Sequence, residues 1–281
     1  MKRREALSDS DVRAAWNSGA QDWEEFIQSG ADIYRLAVHG PALLRACEPV
    51  QALDVLDLGC GQGYFSRELA GKGARVVGVD IAEQLIAYAR QHEERRPLGI
   101  KYHAMSAVEV NRHWEKESFD LITACMALQD IPEVGDCLKS ARDLLRADGR
   151  LLFSIPHPCT VLPSDQWELE KVEGESSAQE GSYFASGARS CRWNMGQHLA
   201  NLNTPYWRYT LAEWSKLIAE AGFLIAQLRE PRPTAEQVKQ QPEFRDSYDV
   251  PYFLIFELVK RGNTNVNPGP SKLREPNKPR K

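Results

Sequence analysis

The stretch that most narrows what this chain can fold into is Leu53-Asp54-Val55-Leu56-Asp57-Leu58-Gly59-Cys60-Gly61-Gln62-Gly63-Tyr64-Phe65. A largely apolar run from Leu53 to Leu58 ends in glycines at alternate positions, and a helical spacing follows with Phe65, Leu69 and Ala70 on one face. The pattern predicts a buried parallel strand, a tight turn and a helix N-terminus. Glycine lets the backbone bend sharply and leaves bare main chain for a ligand to lie against. The unpaired N–H groups of the first helical turn face the same ligand.

From that turn onward strand and helix patterns alternate. Strands are expected at Leu53–Leu58, Arg75–Val79, Ile100–Ala104, Phe119–Ala124, Arg150–Ile155, Phe223–Leu228 and Tyr252–Val259. Helices are expected at Gln62–Lys72, Glu83–Glu94, Pro132–Arg146 and Leu211–Ala221, the last capped by Thr210 and closed by Gly222. Strands separated by helices of this length imply a parallel sheet with right-handed crossovers. The expected class is α/β: a doubly wound, mostly parallel seven-stranded sheet with an antiparallel strand at its edge, supplied by Tyr252–Val259.

Three segments lie outside this rhythm. Residues 1–49 form a helical preface, with Ser8 or Ser10 capping a first helix, Asp22 starting a second and Asp32 capping a third that Gly40-Pro41 interrupts. Its Trp16, Trp23, Tyr34 and Arg35 either seal the sheet edge or form a lid over a pocket. Residues 156–208, inserted in the main domain of residues 50–261, are polar and aromatic-rich, which suits a binding cap with some structure of its own. Residues 262–281 are rich in Pro, Asn and Lys with little apolar content, as a disordered tail would be.

A net charge of −4 gives no global attraction to nucleic acid or anionic membrane. No apolar run reaches the roughly 20 residues that span a bilayer, and the basic start lacks a signal-peptide core. The six scattered cysteines contain no Cys-x-x-Cys pair, so free thiols in a reducing cytoplasm are expected. The histidines at 39, 92, 103, 113 and 198 show no metal-ligand spacing, and no metal is expected.

A lone glycine-rich turn also opens dinucleotide-binding folds. Here Asp57 stands two residues before the first glycine, and Asp80 ends the second strand, where a carboxylate can accept hydrogen bonds from both hydroxyls of a ribose. At this point the sequence resembles the class I S-adenosylmethionine-dependent methyltransferases of the UbiE/type 11 small-molecule kind. The resemblance rests on Leu56–Gly63, Val77–Ile81, Ser118–Ile122 and Leu144–Leu151, four motifs in order. It covers residues 50–155 closely and 205–260 more loosely.

The resemblance implies S-adenosylmethionine as cofactor, a Rossmann-like methyltransferase fold, and methyl transfer to O or N of a small organic acceptor. It implies that Gly59, Cys60, Gly61 and Gly63 pass beside the methionine and ribose, that Asp57 meets the methionine ammonium, that Asp80 holds the ribose diol and that Ile81 packs on the adenine. Met105-Ser106-Ala107 stands where the family usually has Gly-Asp-Ala, so Ser106 replaces the acid that receives the adenine amino group. Cys125 and Met126 would flank the sulfonium, and Arg35 would fork onto the cofactor carboxylate. Two candidate bases stand out: His157, at the carboxyl end of the fifth strand, and Asp130, near a position often His in the family. Each has a plainer reading, His157 as a turn-holding residue and Asp130 as a helix-dipole partner. Tyr183, Trp193, Tyr206, Trp207 and Arg208 are acceptor-binding candidates as a set.

No Asn/Asp-Pro-Pro-Tyr follows the fourth strand, where enzymes methylating adenine or glutamine nitrogen carry it, and Cys159 lacks the context of a pyrimidine-methylating nucleophile. The competing functions are an RNA or protein methyltransferase, a non-catalytic cofactor-binding protein and an NAD-linked oxidoreductase. The expected partner is a small-molecule acceptor, with no nucleic acid and no membrane span, in a monomer or homodimer.

Overall fold

The computed structural model describes residues 7–160, 167–169, 183–193 and 202–262. Its helical preface comprises α1 (Asp9–Ser18), α2 (Ala20–Ser29), a π-helical turn at Arg35–His39 and α3 (Gly40–Cys47). Ser8 caps α1, its backbone N–H donating to Asp11 Oδ2 at 2.7 Å. Gly40-Pro41 does not break the third helix as expected. Proline falls in the first turn of α3, where its missing N–H is not needed, and the chain widens into the π turn just before it. Residue 40 is glycine because a Cβ there would stand 2.3 Å from the Arg35 carbonyl oxygen.

The central sheet opens with β1 (Asp54–Leu58), β2 (Arg75–Asp80), β3 (Lys101–Ala104), β4 (Phe119–Cys125) and β5 (Leu145–Pro156). Three short strands of the expected cap, β6 (Trp167–Leu169), β7 (Gly187–Trp193) and β8 (Asn203–Arg208), form a separate antiparallel sheet in that order. The central sheet is completed by β9 (Phe223–Arg229) and β10 (Phe253–Lys260), and its order is β3-β2-β1-β4-β5-β10-β9. β10 runs antiparallel to both β5 and β9, so the reversed strand lies one place in from the edge and β9 forms the edge itself. Helices α4 (Tyr64–Gly71), α5 (Glu83–Arg95), α6 (Val134–Leu144) and α7 (Leu211–Glu220) cover the sheet, and the excursion after β9 holds the short α8 (Ala235–Gln240) and α9 (Arg245–Asp249).

Alternate residues of each strand feed two cores. Leu56, Ile122 and Leu151 pack with Leu138, Trp214 and Ile218 of α6 and α7 on one face. Val55, Leu121 and Leu152 pack with Leu43, Phe65, Leu69 and Ile86 of α3, α4 and α5 on the other. Burial on both faces is why the parallel strands read as near-continuous apolar runs. Asp120 and Arg146, quoted in two of the motifs, tie the opposite end of the sheet together. Asp120 Oδ2 accepts the Asp54 N–H at 2.8 Å, and Arg146 bridges Asp120 at 2.6 Å and Asp54 at 2.9 Å.

From β1 the chain winds outward through β2 and β3, then crosses back to β4 and β5 on the other side. This reversal makes β1 and β4 the switch point, outside whose carboxyl ends a crevice opens. The Gly59–Gly63 turn and Cys125–Met126 both stand there. Among the described residues no helix is long and apolar enough to cross a membrane. The expected tail from 263 onward and the cap positions 161–166, 170–182 and 194–201 lie outside the described residues.

Candidate active site

A cavity of about 860 Å³ occupies that crevice. Its floor is the glycine turn and the ends of β2, β3 and β4; its walls are the preface, β7–β8, and the segment from Pro242 to Phe253. Every candidate cofactor residue except Gly63 lines it: Arg35, Asp57, Gly59, Cys60, Gly61, Asp80, Ile81, Ser106, Ala107, Cys125 and Met126.

The glycines of the turn differ in purpose. Gly61, at φ +56°, has nothing within 4 Å of where a Cβ would stand, so bare main chain faces the cavity. Gly63 does not border the cavity. At φ +83° it is glycine because a Cβ would meet the Tyr102 hydroxyl at 2.4 Å, a packing requirement beneath the site.

The acids are held by the backbone and by hydroxyls. Asp80 Oδ2 accepts the Gly61 N–H and Oδ1 the Ala82 N–H, each at 2.8 Å. Asp57, fully buried, accepts the Ser66 hydroxyl at 2.6 Å and the Thr123 hydroxyl at 2.8 Å. Burial pushes both carboxyls up to about 6 against these hydrogen bonds. Buried Arg35 pairs through Nε with Asp32 at 3.2 Å, and its guanidinium lies 4.0 Å above the Tyr64 ring. Met126 sits at φ +54°, a left-handed conformation uncommon for such a side chain. Its N–H is fixed by the Ser154 carbonyl and hydroxyl, each at 3.1 Å.

The two candidate bases separate. Asp130, at the end of a 3₁₀ turn (Leu128–Asp130), lines the cavity; burial first, then Asp80, holds its carboxyl well above the usual range. His157 does not line it. Its Nε2 faces Glu230 at 3.0 Å, its Nδ1 accepts the Cys159 N–H at 3.2 Å, and its own N–H donates to the Tyr252 carbonyl at 2.8 Å. Both ring nitrogens are thus engaged in holding the turn after β5, the plainer of its two readings. Of the cap candidates, Trp193 and Tyr206 line the cavity, whereas Trp207 and Arg208 are buried elsewhere and the Tyr183 hydroxyl accepts the first N–H of α7 at 2.9 Å.

Three further groups on the wall were not singled out from the sequence. His39 is buried with Nδ1 unpartnered among the described residues, and burial drives its imidazole down to about 4. Gln129 donates to the Met126 carbonyl at 2.6 Å while its buried Oε1 has no partner among the described residues. Asp9 accepts the Ser106 hydroxyl. Of the three, only Asp9 had a signal in the sequence, the departure at Ser106; the π turn that carries His39 is not visible there.

A profile of a methyltransferase-domain family matches residues 50–222. The chain belongs to that family. Among its curated relatives are ubiquinone biosynthesis O-methyltransferases, one of Glaesserella parasuis, 38% identical over 103 residues, and one of Coxiella burnetii, 32% identical over 149. These matches cover 36% and 52% of this chain and 44% and 62% of those relatives, so the chain spans about half the length of the curated relatives it matches. A solved S-adenosylmethionine-dependent methyltransferase of Mesorhizobium loti is 27% identical, covering 78% of this chain and 95% of that one with a TM-score of 0.62. The family is the class I, S-adenosylmethionine-dependent kind, and S-adenosylmethionine is its cofactor. The fold of this methyltransferase-family chain lines the cavity with the aromatic side chains Trp16, Trp23 and Trp193, packed edge to face with centroids 5.3–6.2 Å apart. Tyr34, Tyr252 and Phe253 form a second aromatic cluster in its lining. Among the described residues no group of three or more His, Cys, Asp or Glu side chains could hold a metal.

Proposed function

We propose that this chain transfers a methyl group from S-adenosylmethionine to O or N of a small, flat organic acceptor enclosed with the cofactor. The observation that carries this reading is one continuous cavity. It runs from bare main chain and a backbone-held acid at Gly61 and Asp80, past Met126 and Asp130, to the walls at Tyr34, Tyr252 and Phe253. A volume of 860 Å³ lies within the range of enclosed small-ligand sites.

The residues fit the cofactor. Asp80 accepts a single backbone N–H on each oxygen and retains lone pairs for two ribose hydroxyls. Asp57 faces the ammonium. Arg35, already braced by Asp32 and Tyr64, presents its guanidinium to the carboxylate. The bound cofactor supplies an activated methyl on a sulfonium. The protein's share is to align the acceptor atom opposite the leaving sulfur, exclude water and take up a proton where the acceptor carries one. Asp130 is the group that takes the proton.

Cofactor affinity should depend on pH with a sign fixed by the acids. Asp57 and Asp80 titrate near 6 in the folded protein instead of near 3.8. The hydroxyls and ammonium of the ligand donate to the ionised forms, so binding pulls both titrations down and releases protons. Affinity for S-adenosylhomocysteine should fall about tenfold or more between pH 7 and pH 5 and level off above 7. Calorimetry in two buffers of different ionisation enthalpy reads the proton release directly; a flat profile would remove these acids from the contact.

The activity itself is tested by incubating cell extract with the protein and methyl-labelled S-adenosylmethionine, followed by mass spectrometry. Label is expected in one small aromatic or heterocyclic compound. Label confined to RNA or protein, or no transfer to any pool, would overturn the reading.

A further inference from the structure

The departure at Ser106 has a counterpart 97 residues away in sequence. The Ser106 hydroxyl accepts the Val108 N–H at 3.3 Å, so its single proton is free to be donated, and it goes to Asp9 Oδ2 at 2.5 Å. Asp9 opens α1, and its other carboxylate oxygen has no hydrogen-bond partner among the described residues. Around the pair the wall is apolar: Val12, Leu85, Ala107 and Ile131.

The position of this carboxylate along the cavity says what it meets. Neighbouring strands stand about 4.8 Å apart, and β1, β2 and β3 lie side by side. A ligand whose ribose sits on Asp80, at the end of β2, extends one way over β1 and β4 and the other way over β3. The room for a methyl acceptor lies on the β4–β5 side, among Met126, Pro156 and Phe253, so the methyl-bearing end must point there. The base therefore lies over the end of β3, between apolar faces, against Ser106 and Asp9. Adenine presents an exocyclic amine, a donor, and the charged acceptor within reach comes from α1.

Resting on the cofactor reading above, we infer that Asp9 is the adenine-recognition residue of this protein: its carboxylate, steered by the Ser106 hydroxyl, accepts the hydrogen bond of the adenine amino group. The acid absent at position 106 is thereby supplied by the helical preface. The preface becomes part of the cofactor site, and α1 docks more firmly when the nucleoside is bound.

Calorimetry of the full chain with S-adenosylhomocysteine and S-inosylhomocysteine, whose amino group is replaced by a carbonyl, tests this. The wild type should prefer the adenosyl compound by about 10- to 100-fold, as for loss of a hydrogen bond to a charged group. D9N keeps the size of the side chain. Its carboxamide can accept from Ser106 while aiming its amide N–H at the base, which mismatches the amine and matches the carbonyl. The preference should collapse or invert, an outcome that loss of helix packing would not produce. The exchanged double variant D9S/S106D returns the acid to the other element and should restore the adenosyl preference, which keeps the inference testable if D9N folds poorly. An unchanged preference in folded D9N, or none regained in the exchange, would overturn the assignment to Asp9 while leaving the cofactor reading intact. Failure of the wild type to bind either compound would overturn the cofactor reading and this assignment with it.

Discussion

Asp80→Ala should weaken S-adenosylhomocysteine binding on the order of 100-fold while moving the melting temperature of the ligand-free protein only slightly. The two halves of this expectation have separate causes. Hydrogen bonds to a charged acceptor are each worth about 1.5–3 kcal/mol, so losing two ribose contacts removes roughly two decades of affinity. In the ligand-free protein the substitution acts in opposite directions. It leaves the Gly61 and Ala82 N–H groups without their acceptor, at about 1–3 kcal/mol each if no water reaches them. It also removes a carboxyl that burial holds near 6 instead of 3.8, a penalty of about 3 kcal/mol at neutral pH. The sign follows from the raised value: the folded state disfavours the ionised acid, so the stability Asp80 allows in acid is lost as pH rises from about 4 through 6. Asp80→Asn is no milder, because its amide would turn a donor toward one of the two N–H donors. Calorimetric affinity within threefold of wild type for both variants would exclude Asp80 from the cofactor contact.

How much of this was readable in advance follows from which residues carry local signals. The parallel strands were legible because burial on both faces leaves runs such as Val55–Leu58 and Leu121–Ala124, and their helices because Thr210 and Gly222 punctuate α7 in the usual way. Asp57 and Asp80 were legible as cavity residues because the turn that exposes them is written in contiguous sequence. Gly63 shows the limit of that logic. Its glycine answers to Tyr102, 39 residues on, and no spacing reveals which glycine serves a ligand and which serves a ring. His157 shows a different limit. It stands at the right end of the right strand, yet Glu230 and the Cys159 N–H engage its ring. The cap offered Trp193 and Tyr206 only within a set of five, and the preface hid Asp9 and His39, because these residues come from separate segments that meet only in the folded chain.

Asp130→Asn should lower turnover by about 10²- to 10⁴-fold, the range for removal of a positioned base, with affinity for the cationic cofactor unchanged or somewhat weaker. Burial and the nearby Asp80 hold the Asp130 carboxyl well above the usual carboxylate range in the ligand-free cavity, which favours its protonated form. Its proton is a poor start for a base, and a cation in the cavity changes this: an opposite charge within a few ångströms of a buried carboxyl favours its ionised form by a margin that bulk water would screen away. Asp130 thus moves toward its ionised, proton-accepting form when the cofactor is seated, so an acceptor proton is drawn off only once a methyl group is in place. Tyr206, whose hydroxyl burial pushes well above its ordinary value, lines the same cavity. Asparagine preserves the shape but cannot ionise, so the favourable pairing with the cofactor's cation is lost, hence the weaker cofactor binding. Initial rates of label transfer to the extract acceptor, measured at saturating cofactor from pH 5 to 9, read both consequences. The wild type should lose activity on the acid side as Asp130 takes up its proton in the complex, and the variant should lack that limb. Turnover of D130N within threefold of wild type, with the acid limb retained, would show that the acceptor gives up its proton without help from this residue.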